Sequence, residues 1–192
     1  MERNTLYPIF VKTEQIKILI VGGGYVAAEK LGFLTKSSPN AQIDMVAPFF
    51  REETLALVDT FGVHSIRRPF LPIDLDGIQM VIVATDNPEL NERIYRLCRI
   101  KGILVNVADN PPLCDFYMGG IVTKGNLKVA ISTNGKSPTV AKRLRQLFEE
   151  ILPEELDELL DNLNAYRVTL KGDFEDKVAE LNRVTRGLVT EK

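Results

Sequence analysis

Three consecutive glycines, Gly22-Gly23-Gly24, close one apolar run of this chain, and a carboxylate, Asp109, closes another about 85 residues later. Gly22, Gly24 and Ala27 fit the spacing G-x-G-x-x-A. In that pattern the first glycine allows a tight turn, the second lets backbone approach a pyrophosphate, and the small third residue lets a helix lie close to a strand. Phosphates would then rest on the free amides at the helix start. A carboxylate at the end of a neighbouring strand can take a proton beside such a cofactor. The pair therefore suggests redox chemistry with proton removal. Two plainer readings stand beside it: a glycine turn without a ligand, and a turn aspartate that merely precedes Asn110-Pro111.

The elements that must position these residues follow from hydrophobic pattern. The run IKILIVGGG (16–24) is apolar but for Lys17 and predicts a strand buried on both faces of a parallel sheet. YVAAEKLGFLTKS predicts a helix packing back through Val26, Leu31 and Leu34, with Lys30 and Lys36 in solvent. Further strands are expected at QIDMVAP, HSIRRPF, MVIVATD (80–86) and ILVNVAD, the last ending at Asp109. Between the last two lies the helix NPELNERIYRLCRIKG, with Asn87 as cap, Pro88 at its first position and Gly102 as its stop. Strands and helices alternating at this spacing imply an α/β fold with a Rossmann-like parallel sheet and right-handed crossovers.

Ligands in such sheets lie over the carboxyl ends of the strands. Here those ends carry the glycine turn, Val46-Ala47-Pro48, Ala84-Thr85-Asp86 and Val107-Ala108-Asp109. The acidic residue that often holds the adenosine ribose is missing, because Ala47, Pro48 and Phe49 occupy the end of the second strand. Asp44 lies inside that strand, short of its end. NAD is expected over NADP, with Arg51 the residue able to upset that preference.

The last third changes character. Phe116–Thr123 and Leu127–Thr133 read as a hairpin joined at Lys124-Gly125-Asn126. A lone hairpin is marginal in water, so self-association is the simplest partner surface. Ser137 can cap a helix with Pro138 at its first position, and Val140, Leu144, Leu147, Phe148 and Ile151 fall on one face of it. No acidic residue lies between Asp115 and Glu149, whereas Lys124, Lys128, Lys136, Lys142, Arg143 and Arg145 are basic. Such a stretch favours an anionic ligand over a plain solvated surface. From Pro153 on, helical spacing predicts two amphipathic helices broken near Lys171-Gly172, with Glu154, Glu155, Asp157, Glu158 and Asp161 on solvated faces. The expected division is residues 1–113 as a dinucleotide-binding domain, 114–150 as a dimerisation segment and 151–192 as a small helical domain.

Composition removes several classes. The chain has 192 residues, 45% hydrophobic and 26% charged, and no run of the roughly 18 apolar residues that a membrane span needs. Its start has no apolar run of the secretory kind, so a cytoplasmic location is expected. A net charge of −2 gives no reason to expect nucleic acid. Cys98 and Cys114 lack zinc-site spacing and read as free thiols, and the single histidine, His64, excludes a multi-histidine metal centre. No dedicated metal site is expected.

Taken in order, YPIF, ILIVGGGYVAAEK, VIVATDNPELNERI, ILVNVADNPPLCDF and VAISTNGKSPTVAKRLR resemble the dehydrogenase and ferrochelatase module of siroheme synthases, also found as stand-alone precorrin-2 dehydrogenase, over about residues 6 to 152. The resemblance implies an NAD-binding Rossmann domain, a dimerisation segment and a helical domain, working as a homodimer. It implies oxidation of precorrin-2 to sirohydrochlorin with NAD+ and, in some members, insertion of Fe2+. It places Gly22, Gly23, Gly24, Tyr25 and Val26 at the pyrophosphate, Pro48 and Phe49 near adenosine, Thr85 and Asp86 along the cofactor, and Asp109 as the catalytic aspartate. Thr133 matches a serine at the tetrapyrrole site of some members, and Lys124, Lys136, Arg143 and Arg145 would face the substrate's carboxylates. Beyond Leu152 no family motif is recognised, and the large methyltransferase domain of the fused enzymes is absent, so uroporphyrinogen methylation is not expected. Two other readings stay open: a non-catalytic NAD- or tetrapyrrole-binding sensor or carrier, and a ferrochelatase without dehydrogenase activity.

Overall fold

A computed structural model describes residues 4–188 of the chain. Its contacts divide it into two compact units, one of residues 1–119 with 132–137, the other of 120–131 with 138–192.

In the first unit β1 (Lys17–Val21), α1 (Tyr25–Ser37), β2 (Gln42–Ala47), α2 (Glu52–Phe61), β3 (His64–Arg67), β4 (Met80–Val83), α3 (Pro88–Lys101) and β5 (Leu104–Val107) alternate along the chain. The strands form one parallel sheet in the order β3-β2-β1-β4-β5. Their apolar runs are explained by burial on both sides. Leu19, Val21, Val81, Val83, Val105 and Val107 meet Ile94 and Cys98 of α3 on one face. Ile18, Ile20, Met45 and Ile82 meet Ala27 and Leu31 of α1 and Val58 of α2 on the other. Each fully buried aliphatic side chain contributes roughly 1.5–3 kcal/mol.

Helix α3 starts and stops as its sequence predicts: the Asn87 side chain accepts from Leu90 N at 3.0 Å, Pro88 follows, and Gly102 ends it in the left-handed region. Helix α1 packs on the sheet through Leu31 and Leu34 as expected, but Ala27 and Thr35 complete its buried face and Val26 faces outward. Ala27, fully buried, is the small residue that lets the helix lie close to the strands. The strands expected at 80–86 and 103–109 also end earlier, at Val83 and Val107, because their last residues turn away to form loops.

The outer edge of β5 is not left open. Asp115 N donates to Val105 O at 2.7 Å, Val105 N donates to the Asp115 carboxylate at 3.0 Å, and Asn106 Nδ2 donates to Phe116 O at 2.7 Å. Arg99 of α3 pairs with the same carboxylate at 2.6 Å. Asp115 is thus a structural acceptor. Phe116 and Met118, read from sequence as strand, pack on the core instead.

Between β3 and β4 the Asp74 carboxylate accepts from both Arg68 guanidinium nitrogens and from Leu71 N, and it is almost fully buried. The Arg68 hydrogen bonds, with help from Leu71 N, hold its carboxyl below the usual aspartate value. A carboxyl depressed on folding stabilises at pH values above its unfolded pKa of about 3.9, and this contribution is lost as pH falls through the lower native value. Asp74→Asn is therefore expected to cost about 2 kcal/mol at pH 7, from lost charge-assisted hydrogen bonds. In urea melts, the gap between variant and parent should shrink steadily as pH drops below 4. A gap independent of pH would show that the charge is irrelevant.

The second unit contains β6 (Gly120–Lys124), β7 (Leu127–Ile131), α4 (Pro138–Ile151), α5 (Leu156–Thr169) and α6 (Phe174–Thr185). β6 and β7 pair antiparallel, Lys124 opposite Leu127, around Gly125-Asn126, so the hairpin is real but shorter than its sequence suggests. α4 begins at Pro138 and lies on β6, where a Cβ on Gly120 would sit 3.3 Å from Ala141 O. The break between α5 and α6 falls where expected, with Asp173 capping α6 through Asp176 N at 3.0 Å. The acidic start of the tail is not plain surface. Glu154 pairs with Lys124, and Asp157 accepts from Asn126 N and Nδ2 at 2.6 and 2.8 Å, which ties the tail to the hairpin turn.

Candidate functional site

The four strand ends that carry the candidate residues finish level with one another. Val21 is in register with Val46 on one side and Val83 on the other, and Val83 with Val107. The chain leaves this edge at Gly22, Pro48, Ala84 and Ala108. Strand order reverses between β1 and β4, and this crevice is where open α/β sheets bind ligands. With strands about 4.8 Å apart, Asp109 lies roughly 10 Å across the sheet from the glycine turn.

Each glycine does a different job. Gly22 has φ +128°, and a Cβ there would meet Ala84 O at 2.3 Å. A Cβ on Gly23 would meet Phe49 O at 2.1 Å. Both are needed for backbone to pass backbone. Gly23 O also accepts from Arg51 N and from the buried Thr54 hydroxyl, each at 2.9 Å. Gly24 has nothing within 4 Å of its would-be Cβ, so its missing side chain leaves open space at the mouth of α1. No side chain caps this helix and its first turn holds no acid. The first intrahelical bond is Ala28 N to Gly24 O, so the amides of Tyr25, Val26 and Ala27 have no acceptor within the helix. An open glycine face beside uncapped amides fits a pyrophosphate.

Around the turn, Phe49 is exposed and Phe50 is buried beneath it. Pro48 is likewise at the surface. Arg51 lies over the Tyr25 ring, 3.6 Å from its centroid, bonds the Tyr25 hydroxyl and pairs with Glu53 at 3.3 Å. Asp44 is three residues short of the end of β2, in register with His64, whose ring nitrogen is 3.2 Å away. It is therefore no ribose ligand. On the far side of the crevice the Thr85 hydroxyl bonds Asn91 and accepts from Asn87 N at 3.2 Å, and Asn91 Nδ2 donates to Thr85 O at 3.1 Å. Thr85 thus fixes its loop, and Asp86 beside it is exposed.

Asp109 sits third in a tight turn closed by Asn110 N to Val107 O at 3.1 Å, with φ +58°. It is one of two non-glycine residues with positive φ among the described residues, the other being Asn134. Left-handed backbone costs an L-residue other than glycine on the order of 1 kcal/mol, less for Asp and Asn than for most. The carboxylate is exposed above the strand edge. Cys114, five residues on, donates its thiol to Val107 O at 3.2 Å and steadies the same loop. Burial raises the pKa of Cys114, and it pushes that of Cys98, inside the core, up to about 11. Neither thiol is activated.

Thr133 opens a turn closed by Lys136 N to Thr133 O at 3.0 Å, through Asn134 and Gly135 at φ 54° and 73°. Its hydroxyl donates to Ser137 O at 3.0 Å and accepts from Ser137 N at 3.2 Å, while Lys136 is exposed. In the second unit Lys124 is paired with Glu154, Arg145 with Glu149, and Arg143 bonds Gln146 at 3.0 Å. The acid-free stretch is therefore partly neutralised by carboxylates from later in the chain. Sequence reasoning also passed over Thr54 and Asn91, which brace the two sides of the crevice. A hydroxyl or amide in the first turn of the helix after a strand is the only local signal either gives.

Among the described residues no helix is long and apolar enough to cross a membrane. Comparison with known proteins gives two family matches: the model described as putative NAD(P)-binding covers residues 9–120, and that described as sirohaem biosynthesis protein, central, covers 124–151. The siroheme synthase of Pseudoalteromonas atlantica is 38% identical over 168 residues, which is 88% of this chain and 36% of that protein. That of Thioalkalivibrio sulfidiphilus is 34% identical over 188 residues, 96% of this chain and 38% of that protein. The chain thus spans little more than a third of the siroheme synthases it matches. Among solved structures, the precorrin-2 dehydrogenase SirC superposes with a TM-score of 0.76 at 24% identity, over 93% of this chain and 89% of that one, which shows a shared fold. The glycine turn is that of an NAD(P)-binding family. With its Rossmann-like sheet, its open glycine turn and the central segment that follows, the chain belongs to the putative NAD(P)-binding family, in the form found in siroheme synthases.

Proposed function

We propose that this protein is an NAD-dependent precorrin-2 dehydrogenase, forming sirohydrochlorin for siroheme or a related tetrapyrrole. The observation that carries the reading is Asp109, an exposed carboxylate held in a left-handed turn on the edge where the glycine turn opens. Bound NAD+ supplies the hydride acceptor. The amides of Tyr25, Val26 and Ala27 bind its pyrophosphate, Pro48 and Phe49 flank its adenosine, and the loop of Thr85 and Asp86 borders it. Asp109 takes the proton that the substrate loses alongside the hydride, so two electrons and two hydrogens leave the macrocycle. Lys136, with Lys124, Arg143 and Arg145, meets the carboxylates of the substrate rim, and Thr133 offers its hydroxyl oxygen.

The protein works in the cytoplasm as a homodimer. Support for the dimer lies in α4, whose Val140, Leu144, Leu147 and Ile151 are 37–58% exposed along one face. Insertion of Fe2+ into sirohydrochlorin is a second activity of the same site, with Asp109 collecting pyrrole protons. The test is incubation with precorrin-2 and NAD+, with and without Fe2+ or Co2+, on a preparation whose mass is measured by light scattering. Stoichiometric NADH without metal supports the reading. Binding of NAD+ and precorrin-2 with no NADH would make the protein a carrier, and metal insertion alone would make it a chelatase. A monomeric mass would remove the dimer.

A further inference from the structure

The adenosine end of the site carries an unusual charge arrangement. At the end of β2, where a dinucleotide site that selects NAD commonly has an acid against the ribose 2′-hydroxyl, the chain places Ala47, Pro48 and Phe49. The nearest acid on that strand, Asp44, is three residues back and beside His64. The first charged side chain past the strand end is Arg51, which caps α2 in extended conformation. Its guanidinium lies over the Tyr25 ring, donates from Nη2 to the Tyr25 hydroxyl and from Nε to Glu53 at 3.3 Å, and more than a third of the side chain is exposed. Tyr25 is the first residue of α1, so the guanidinium is anchored on the helix whose amides meet the pyrophosphate.

A planar guanidinium held by stacking has a donor edge free for an anion, and its fork matches a phosphate bidentately. The 2′-phosphate of NADP adds about two negative charges at this end of the dinucleotide. An acid at the strand end would repel them, and none is present. Among the described residues Glu53 is the one carboxylate paired with Arg51, and it is exposed.

We propose that Arg51, fixed on Tyr25, reads the 2′ position of the adenosine ribose and lets this protein take NADP as well as NAD. The proposal rests on the glycine turn being the cofactor site. Glu53 sets the balance, competing with the 2′-phosphate for the guanidinium.

Titration of the purified protein with NADH and NADPH, followed by nicotinamide fluorescence, measures this directly. Dissociation constants within about tenfold of each other are expected for the parent. Arg51→Ala should weaken NADPH by about 10- to 100-fold, the size of a charge-assisted bidentate contact, and NADH by no more than about threefold. Glu53→Gln should tighten NADPH alone. A melting temperature for Arg51→Ala equal to the parent's keeps folding out of the comparison. A parent that binds NADH but takes NADPH more than about 100-fold more weakly overturns the proposal, as does an Arg51→Ala loss equal for both coenzymes. A parent that binds neither overturns the cofactor site itself, and the proposal with it.

Discussion

Replacing Asp109 with Asn is expected to lower precorrin-2 oxidation by about 100- to 10,000-fold, the usual contribution of a positioned general base, while the fold and NADH binding stay as they are. The backbone makes this substitution clean. Asp109 sits at φ +58°, a conformation that Asn tolerates as well as Asp does, so only the charge and its proton affinity change. Asp109→Gly sharpens the test. Relief of left-handed strain, about 1 kcal/mol, is offset by the greater freedom of glycine in the unfolded chain, about 0.4–1 kcal/mol, leaving stability nearly unchanged. Both variants should therefore melt like the parent and turn over almost nothing. Near-normal kcat in either would take Asp109 out of the mechanism, and a large drop in melting temperature would make it a structural residue instead.

The second large effect separates three adjacent glycines. Gly22→Ala places a Cβ 2.3 Å from a strand carbonyl at a φ that L-residues rarely adopt, and Gly23→Ala places one 2.1 Å from the Phe49 carbonyl. Neither obstacle is a side chain that can swing aside. Each should cost more than about 3 kcal/mol, a large share of the roughly 5–15 kcal/mol that holds a domain together. Gly24→Val adds a Cβ with no atom within 4 Å and should leave urea stability within about 1 kcal/mol, yet it fills the space at the mouth of α1. NADH affinity should fall at least tenfold in that variant alone among folded ones. Equal stability losses at all three positions would mean that the turn is merely a tight corner.

Much of this was legible because the deciding signals are local. The β1 run and the glycines after it, the Asn87-Pro88 start and Gly102 stop of α3, and the Gly125-Asn126 turn each announce themselves within a few residues. What sequence could not give depends on distant partners. Helix α2, with a polar outer face and only Thr54 and Val58 fully buried, has a weak pattern and went unread. In α1 the pattern is right at Leu31 and Leu34 and misleading only at Val26, which looks more like a core residue than Ala27, whereas a tight crossing rewards the smaller one. The stack of Arg51 on Tyr25 joins residues 26 apart, and the pairing of Lys124 with Glu154 joins residues 30 apart. An acid-free run in sequence is thus not an acid-free surface. That shifts the expected anion contacts toward Lys136 and Arg143, whose charges are not met by a carboxylate in this way.

The strip of chain lying along β5 also decides how the protein behaves in bulk solution. An uncovered edge strand of a flat apolar sheet is a template for pairing with a second molecule, the first step toward aggregation. Asp115, on the stretch that begins with Asp109, occupies those sites within the molecule through its backbone N–H and its carboxylate. Colloidal behaviour and the proposed proton transfer therefore depend on one loop, at different residues. Lesions at Asp115, unlike those at Asp109, would deplete the protein by precipitation before any loss of turnover could be measured.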